Sequence, residues 1–413
     1  MKNVVPFNID ENIKFVAEPV WIDWIRLRNK KEPEKKQLMV ICLKDMESDN
    51  KVIHPLSEFI LSWYSKQFNT MRKHCMTTVS FLNFVLIRKK EFKINSLNEL
   101  LFSHGNRFLN EMTSSGKTFE TVKDAERTLT KFFHFLSKKN SLLHIPSTSF
   151  HKETGPYGSY LSSPFSPIYP GVKAKEIEHF LPPQFLPLFF EIALIEANPI
   201  LLGIYFQMFG GLRVSEVLNI TRPSIKRKLT GEMVVSLNLR NLRSDLRTAN
   251  AAVKRPRQQR IYSVNDWLEL FYENHINTYK STDGSGALFV NRNGQAMTES
   301  TYRQYFNKVK TKFIQSLKTG NLDEIILGNH LEKIKWSTHI GRGTFSNQLA
   351  EIAENPYDLS QPRGDKSLMS SLSYLSGTQR MKTKMLEKFQ NMHTNFIPIL
   401  IERKKMKNDT EER

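Results

Sequence analysis

The sequence predicts a mainly α protein with a small antiparallel β-sheet, divided into a helical domain and a larger α+β domain. Three observations predict it. At 413 residues the chain is longer than one hydrophobic core usually supports, so two domains plus appendages are expected. Apolar residues recur at helical spacing through about 55–140 and again through most of the second half. Two short runs of strand character, 233–239 and 259–264, flank a basic connection in that second half.

In chain order, residues 1–54 hold two apolar runs, 20–27 and 37–43, on either side of a charged loop, 28–36, and predict a β-hairpin arm. Such an extension most often covers the next domain. From 55 to 140 the spacing of Phe59, Trp63, then Val79, Leu82, Val85, Leu86, and finally Val122, Leu129, Phe132, Phe133 and Leu136 predicts three or four helices. Ser96 and Glu99 have the capping-box spacing and predict a helix start at Leu97, and Thr118 is placed to cap the last helix. Basic residues interleave with this stripe, among them Lys73, Arg88, Lys123, Arg127, Lys131 and Lys139, with few acidic partners at i,i+4, so the exposed side is expected to be basic and to meet phosphate. Residues 141–178, with Pro146, Pro156, Pro164, Pro167 and Pro170 among Ser, Gly and Tyr, read as a linker.

The second domain is expected over 179–400. Its apolar stretch 186–212 is long enough to raise a membrane span, but Glu191, Glu196, Asn198 and Pro199 interrupt it, so it reads as two buried helices joined at Asn198-Pro199. Residues 287–290 read as a short strand ended by a turn at 291–294, and Thr298 is placed to cap the following helix. The polar tail 401–413 has the composition of a disordered segment. There is no internal repeat.

Lys and Arg total 60 against 41 Asp and Glu, a formal charge of +19, which favours a polyanionic partner, nucleic acid first among them. Cys42 and Cys75 are the two cysteines, too few for a disulfide framework and at no zinc-finger spacing with histidines, so a reducing compartment is expected. The amino-terminal segment lacks the basic-then-apolar order of a secretory signal and carries acidic residues that a transit peptide avoids, so the mature protein is expected to begin here, in the cytoplasm.

The chemistry sits in an ordered set of residues. Arg213 and Glu216 stand three apart in Gly-Gly-Leu-Arg-Val-Ser-Glu at an expected helix start, where the helix dipole would add to the attraction for an anion. His339 and Arg342 repeat that spacing. Two arginines suit the non-bridging oxygens of one phosphodiester, which their planar forks match better than lysine does. In the connection 239–261 the one lysine among many arginines is Lys254; a lysine on a mobile hairpin can reach a leaving oxygen and protonate it, which arginine cannot. Tyr374 lies 32 residues after Arg342, and a phenol becomes a nucleophile where cations lower its pKa or a base takes its proton. Tyr357 is its competitor. Alone, each has an ordinary explanation: a surface ion pair, a core histidine, a phosphate-backbone contact, a packing tyrosine. Together and in this order they describe a site that attacks phosphorus.

The set resembles the tyrosine recombinases, the phage-type integrase family of site-specific DNA recombinases, over about 55–385. Residues 55–140 resemble that family's core-binding domain and 178–400 its catalytic domain. Gly211-Leu-Arg213-Val-Ser-Glu216 matches the first arginine motif, Lys254 sits where the hairpin lysine is expected, His339-Ile-Gly-Arg342 matches His-x-x-Arg, and Tyr374 has the nucleophile's spacing. Two positions depart from the pattern: Gly343 where bacterial members usually have histidine, and Asp365 where histidine or tryptophan is usual. An aspartate there would repel the phosphate unless Lys366 or Arg363 neutralised it.

The resemblance implies cleavage and rejoining of double-stranded DNA without metal or cofactor. Arg213 and Arg342 would hold the phosphate, Tyr374 would form a 3'-phosphotyrosine, Lys254 would protonate the 5'-oxygen, His339 would assist as hydrogen-bond donor or base, and Glu216 would orient the cluster. It further implies a homotetramer assembled on DNA, linked by a carboxy-terminal helix around 385–400, with accessory DNA-bending or element-encoded proteins as possible partners, a nucleoid-associated place in the cytoplasm, and the setting of a mobile genetic element. The alternatives are a DNA-binding relative that has lost catalysis, favoured by Gly343 and Asp365, and a tyrosine-type topoisomerase. A metal-dependent nuclease is disfavoured because no carboxylate cluster with ligand spacing lies near these motifs.

Overall fold

The computed structural model describes residues 12–24, 34–155, 158–171, 177–228, 232–243, 246, 253, 255–353 and 355–364. It divides into two compact units, 1–174 and 175–413.

In the first unit, β1 (Ile13–Trp24) and β2 (Glu34–Asp45) form the antiparallel hairpin expected near the amino terminus, in register from Ile13 against Asp45 to Trp24 against Glu34, and β3 (Lys51–Ile53) adds to the far side of β2. The sheet lies on a helical layer made of α1 (Ser57–Leu61), α2 (Phe68–Ile87), α3 (Lys89–Phe92), α4 (Phe102–Ser114) and α5 (Phe119–Lys138). Phe15, Leu38, Met39 and Ile41 share one core with Phe59, Met71, Phe81, Leu129 and Phe132. Two polar ties hold sheet to helices. Asn83 of α2 accepts from the Phe15 N–H and donates to its carbonyl, both at 2.8 Å, and Ser57 does the same with Ile41 at 2.9 Å each. The hairpin is thus a cover on these helices, with the outward backbone groups of Phe15 and Ile41 satisfied by side chains.

Three expectations for this unit change. Ser96 caps, but only the single 3₁₀ turn Leu97–Glu99; Leu100 and Leu101 are extended, and α4 starts at Phe102. Thr118 does cap α5, accepting from the Thr121 N–H at 3.4 Å. The basic residues have acidic partners after all: Lys73 pairs with Asp124 at 2.6 Å, Arg88 with Glu111 at 2.6 Å, Lys123 with Glu126 at 2.8 Å, and Lys139 with Glu58. Most of these carboxylates come from other helices, where i,i+4 counting does not look. The proline-rich stretch read as a linker is largely packed down. It forms the hairpin β4 (Lys152–Gly155) and β5 (Gly158–Leu161), it buries Phe150 and Phe165 in the core, and the Tyr169 hydroxyl bonds the buried Glu126. The aromatic residues among the prolines carry the apolar area that a proline and glycine count overlooks.

The second unit is built round α6 (Leu186–Gly210), whose backbone breaks from helical geometry at Ala197 (φ −149°, ψ 40°), one residue before the expected joint. Pro199 follows the break because proline has no N–H to give the ladder and its ring crowds the preceding turn. The span Pro183–Gly210 is apolar enough to cross a membrane by composition, yet every residue from Ile200 to Gly210 is buried in the protein's own core. After α7 (Val214–Val217) comes the antiparallel sheet of β6 (Ile225–Arg227), β7 (Met233–Leu237) and β8 (Arg257–Ile261). Then follow α8 (Trp267–Thr278), α9 (Glu299–Leu317), α10 (Leu322–Lys333), α11 (His339–Ile352) and α12 (Pro356–Arg363). Residues 287–290 are buried but make only isolated bridges, Thr221 with Ala287 and Val290 with Ala296, not a strand. The turn after them closes as expected, Gly294 N–H to Asn291 O at 3.0 Å, and Thr298 caps α9. A buried polar relay links three helices: the Tyr302 hydroxyl donates to Gln207 at 2.7 Å, and Gln207 donates to the Thr338 carbonyl at 3.1 Å, fixing the start of α11 on α6.

Four described histidines, His54, His74, His104 and His275, are buried, and burial lowers the pKa of each, most strongly at His74 and His275. Desolvation lowers His74 to about 4, helped by Lys131 and Lys73, and lowers His275 to about 4 against the opposing bond to Leu288 O. A histidine whose pKa is depressed stabilises the fold fully above its unfolded value near 6.5, and that contribution is lost as pH falls from 6.5 towards 4. Urea unfolding at pH 7 and pH 5 is expected to show a loss of roughly 2 kcal/mol for each of His74 and His275, and His275→Gln is expected to flatten its share of that slope.

Candidate active site

The site is built on the turn that ends α6. Gly211 adopts φ +63°, and a Cβ there would stand 2.4 Å from the Phe345 ring of α11, so both backbone and packing require glycine. This turn delivers Arg213 to the start of α7. The Arg213 N–H donates to Glu216 Oε2 at 2.8 Å and its guanidinium Nη1 to Glu216 Oε1 at 3.2 Å. The expected help from a helix dipole is absent: α7 is a single turn, and the Glu216 carboxylate already occupies its amino end. Attraction for an anion must come from the guanidinium groups.

Glu216 is 2% exposed and is the hub of the cluster. Arg257 of β8 grips it with two bonds, Nη1 to Oε1 at 2.7 Å and Nη2 to Oε2 at 3.0 Å. Burial pushes the Glu216 carboxyl up, but the Arg257 guanidinium, then the Arg213 N–H and charge, outweigh it and hold the group below the usual carboxylate range. One negative charge is therefore shared between two guanidinium groups before Arg342 is counted.

Arg342 is 6% exposed and sits one helical turn into α11. It donates Nη1 to the carbonyl of Gly211 and Nη2 to the carbonyl of Arg363 at 3.1 Å. The first bond ties it to the turn that carries Arg213. The second ties it to the end of α12, where Gln259 of β8 also donates to Pro362 O at 2.6 Å. Gly364 closes α12 in the left-handed region (φ +65°), and a Cβ there would meet the Arg257 Nε at 2.4 Å.

His339 is the first residue of α11 and keeps an open side. Desolvation of its packed side lowers its pKa, and the nearby charges of His179, Arg303 and Arg213 lower it further while Glu299 opposes them. These effects favour the neutral ring, the form able to accept a proton.

The structure accordingly brings Arg213, Glu216, His339 and Arg342 together. Lys254, Asp365 and Tyr374 lie outside the described residues. The neighbours of Lys254 are anchored: Val253 is buried and its N–H donates to Arg240 O at 3.2 Å, and Arg257 is on Glu216. Tyr357 is described. It is 67% exposed near the start of α12, about 9 Å of helix rise from the Arg363 end that meets Arg342. Sequence reasoning missed Arg257 and Gln259. Strand β8 begins two residues earlier than expected because these polar residues, with Ile261, form its inward face; an alternation rule that looks for apolar residues cannot see them.

Gly343 has a packing reason. A Cβ on it would lie 1.9 Å from the carbonyl oxygen of His179, so the incoming backbone of residues 177–181 occupies the place of a side chain. That segment is held by Glu178 N–H to Lys335 O at 2.9 Å and by Leu181 N–H to Thr344 Oγ1 at 2.9 Å.

This architecture recurs among solved structures. The Tn1549 transposon integrase in complex with circular intermediate DNA superposes over 80% of this chain and 98% of its own with a TM-score of 0.53 at 15% identity. The XerH site-specific recombinase bound to palindromic difH substrate, in a post-cleavage complex, superposes over 81% of this chain and 84% of its own, with a TM-score of 0.54 at 16% identity. The chain has the tyrosine-recombinase fold. No protein-family model and no curated protein matches its sequence. The cluster around Glu216 lies in the second unit, 175–413.

Two variants test this geometry. Gly343→Ala must displace the His179 backbone and is expected to cost about 2 kcal/mol or more in chemical denaturation. Glu216→Gln leaves Arg257 facing a neutral group in a buried site and is expected to cost about 3 kcal/mol. Wild-type stability in either variant would show that the contact is not formed.

Proposed function

We propose that the protein is a site-specific DNA recombinase, an integrase of a mobile genetic element, that cuts and rejoins double-stranded DNA through a covalent 3'-phosphotyrosine. The observation that carries this reading is that Arg213 and Arg342 are both tied to the turn after α6, Arg213 through the buried Glu216 and Arg342 through the Gly211 carbonyl, with His339 one turn before Arg342 on α11. The fold supports it, since the Tn1549 integrase and XerH structures are DNA complexes.

In this reading Arg213 and Arg342 hold the two non-bridging oxygens of the scissile phosphate and neutralise the charge that grows on them. The phenol of Tyr374 gives its proton to His339 as its oxygen bonds to phosphorus. The bond from phosphorus to the 5'-oxygen breaks, and Lys254 supplies the proton that oxygen takes up. One P–O bond forms as another breaks, so a 5'-hydroxyl from a second strand can reverse the step without ATP. Glu216, itself held by Arg257, is a positioning residue that fixes Arg213 directly. Exchange between two duplexes needs four such sites, which makes a tetramer on DNA part of the proposal, as are accessory DNA-bending proteins and a nucleoid-associated location. Gly343, one of the two positions that favour a catalytically impaired relative, has a packing reason for its missing side chain.

The full-length protein, given a nicked suicide duplex from the ends of its element, is expected to form a denaturation-resistant protein–DNA adduct that is absent in Tyr374→Phe. Arg342→Ala is expected to slow adduct formation about a thousandfold, the usual scale for loss of one donor to a developing oxyanion. An adduct that persists in Tyr374→Phe would remove Tyr374 as the nucleophile.

A further inference from the structure

Residues 339 and 343 are one helical turn apart on α11 and share a face, so a side chain at 343 would stand beside His339. Gly343 provides none. The backbone of His179 fills that volume instead: its carbonyl oxygen lies 1.9 Å, and its own Cβ 2.8 Å, from where a Cβ of residue 343 would be. His179 is thus the residue whose side chain departs from that point.

The backbone there is fixed on both sides. The Glu178 carboxylate accepts the N–H groups of His179 and Phe180 at 2.9 Å each, and its other oxygen meets His330 at 2.9 Å. Ile177 bridges Lys335, and Leu181 is tied to Thr344. The His179 side chain itself is exposed and close enough to His339 for its charge to be felt there ahead of those of Arg303 and Arg213. An exposed imidazole on a rigid backbone, beside the open face of His339, has no packing role to account for it.

We propose that His179 is a further residue of the phosphate site, its imidazole standing in for the side chain that Gly343 lacks and donating an N–H to the phosphodiester held by Arg213 and Arg342. The inference deepens the function proposed above and rests on it for the identity of the anion. It also assigns residues 177–181 to the site, as the segment that carries one of its donors.

The test uses the full-length chain, carbon-13 labelled at the histidine rings, with inorganic phosphate as the probe. The His179 signal is identified by its loss in His179→Ala, which keeps the Cβ and so the contact with Gly343. Phosphate is expected to shift the His179 and His339 signals together, with one dissociation constant. That constant should weaken about tenfold in His179→Ala and no more than about threefold in His179→Gln, which keeps an N–H donor. Arg213→Ala should abolish the shift of both signals. A His339 shift that depends on Arg213 while His179 stays silent, or equal binding in His179→Ala, would overturn the role of His179 and leave the recombinase reading standing. A His179 shift unchanged in Arg213→Ala would mark an unrelated surface anion and would equally overturn it. The recombinase reading itself stands or falls separately, on the Tyr374 adduct.

Discussion

The buried carboxylate of Glu216 is the constraint on which the second unit depends. A charge at 2% exposure is tolerated only where partners replace its water, and here Arg257 supplies two bonds and Arg213 two more. Those four bonds draw together the turn after α6, the one-turn helix α7 and the inward face of β8. They also orient Arg213 from behind, leaving its 37% exposed side chain directed by a fixed partner rather than by its own rotamer preferences. Arg257 in turn stands against Gly364 at the end of α12. One acidic residue therefore organises elements far apart in the sequence while cancelling only part of the positive charge gathered there.

A second network sets α11. Tyr302, Gln207 and the Thr338 carbonyl form a buried chain from α9 through α6 to the residue before His339, and the two bonds of Arg342 reach the turn after α6 and the end of α12. His339 and Arg342 are thus placed by contacts on the core side of their helix. The end of α12, from which the chain continues towards Tyr374, is fastened to the same arginine and to Gln259. Side chains held in this way would lose little freedom on binding the phosphate of the proposed function, which is the physical content of preorganisation.

Much of this was legible in the sequence, for identifiable reasons. The two arginine motifs could be read because each is local: a glycine turn before Arg213 and a three-residue step from His339 to Arg342 put functional groups on one face whatever the rest of the fold does. The break in α6 could be read because Pro199 allows nothing else. What escaped depends on tertiary partners. Arg257 and Gln259 look like the outside of a strand until Glu216 and Pro362 are seen opposite them. The partners of Lys73 and Arg88 sit on other helices. Phe150 and Phe165 find their core only once α4 and α5 have packed, so composition alone read their segment as a linker. Gly343 looked like a lost side chain because the backbone that replaces it enters from residue 179.

The proposed function requires the guanidinium groups of Arg213 and Arg342 to act on the negative charge of one scissile phosphate. The most direct measurement is single-turnover cleavage of a duplex in which that phosphate is replaced by an uncharged methylphosphonate. If the claim holds, Arg213→Ala and Arg342→Ala, severely slowed on the normal duplex, recover most of the wild-type rate on the neutral one. Equal losses on both substrates would contradict it.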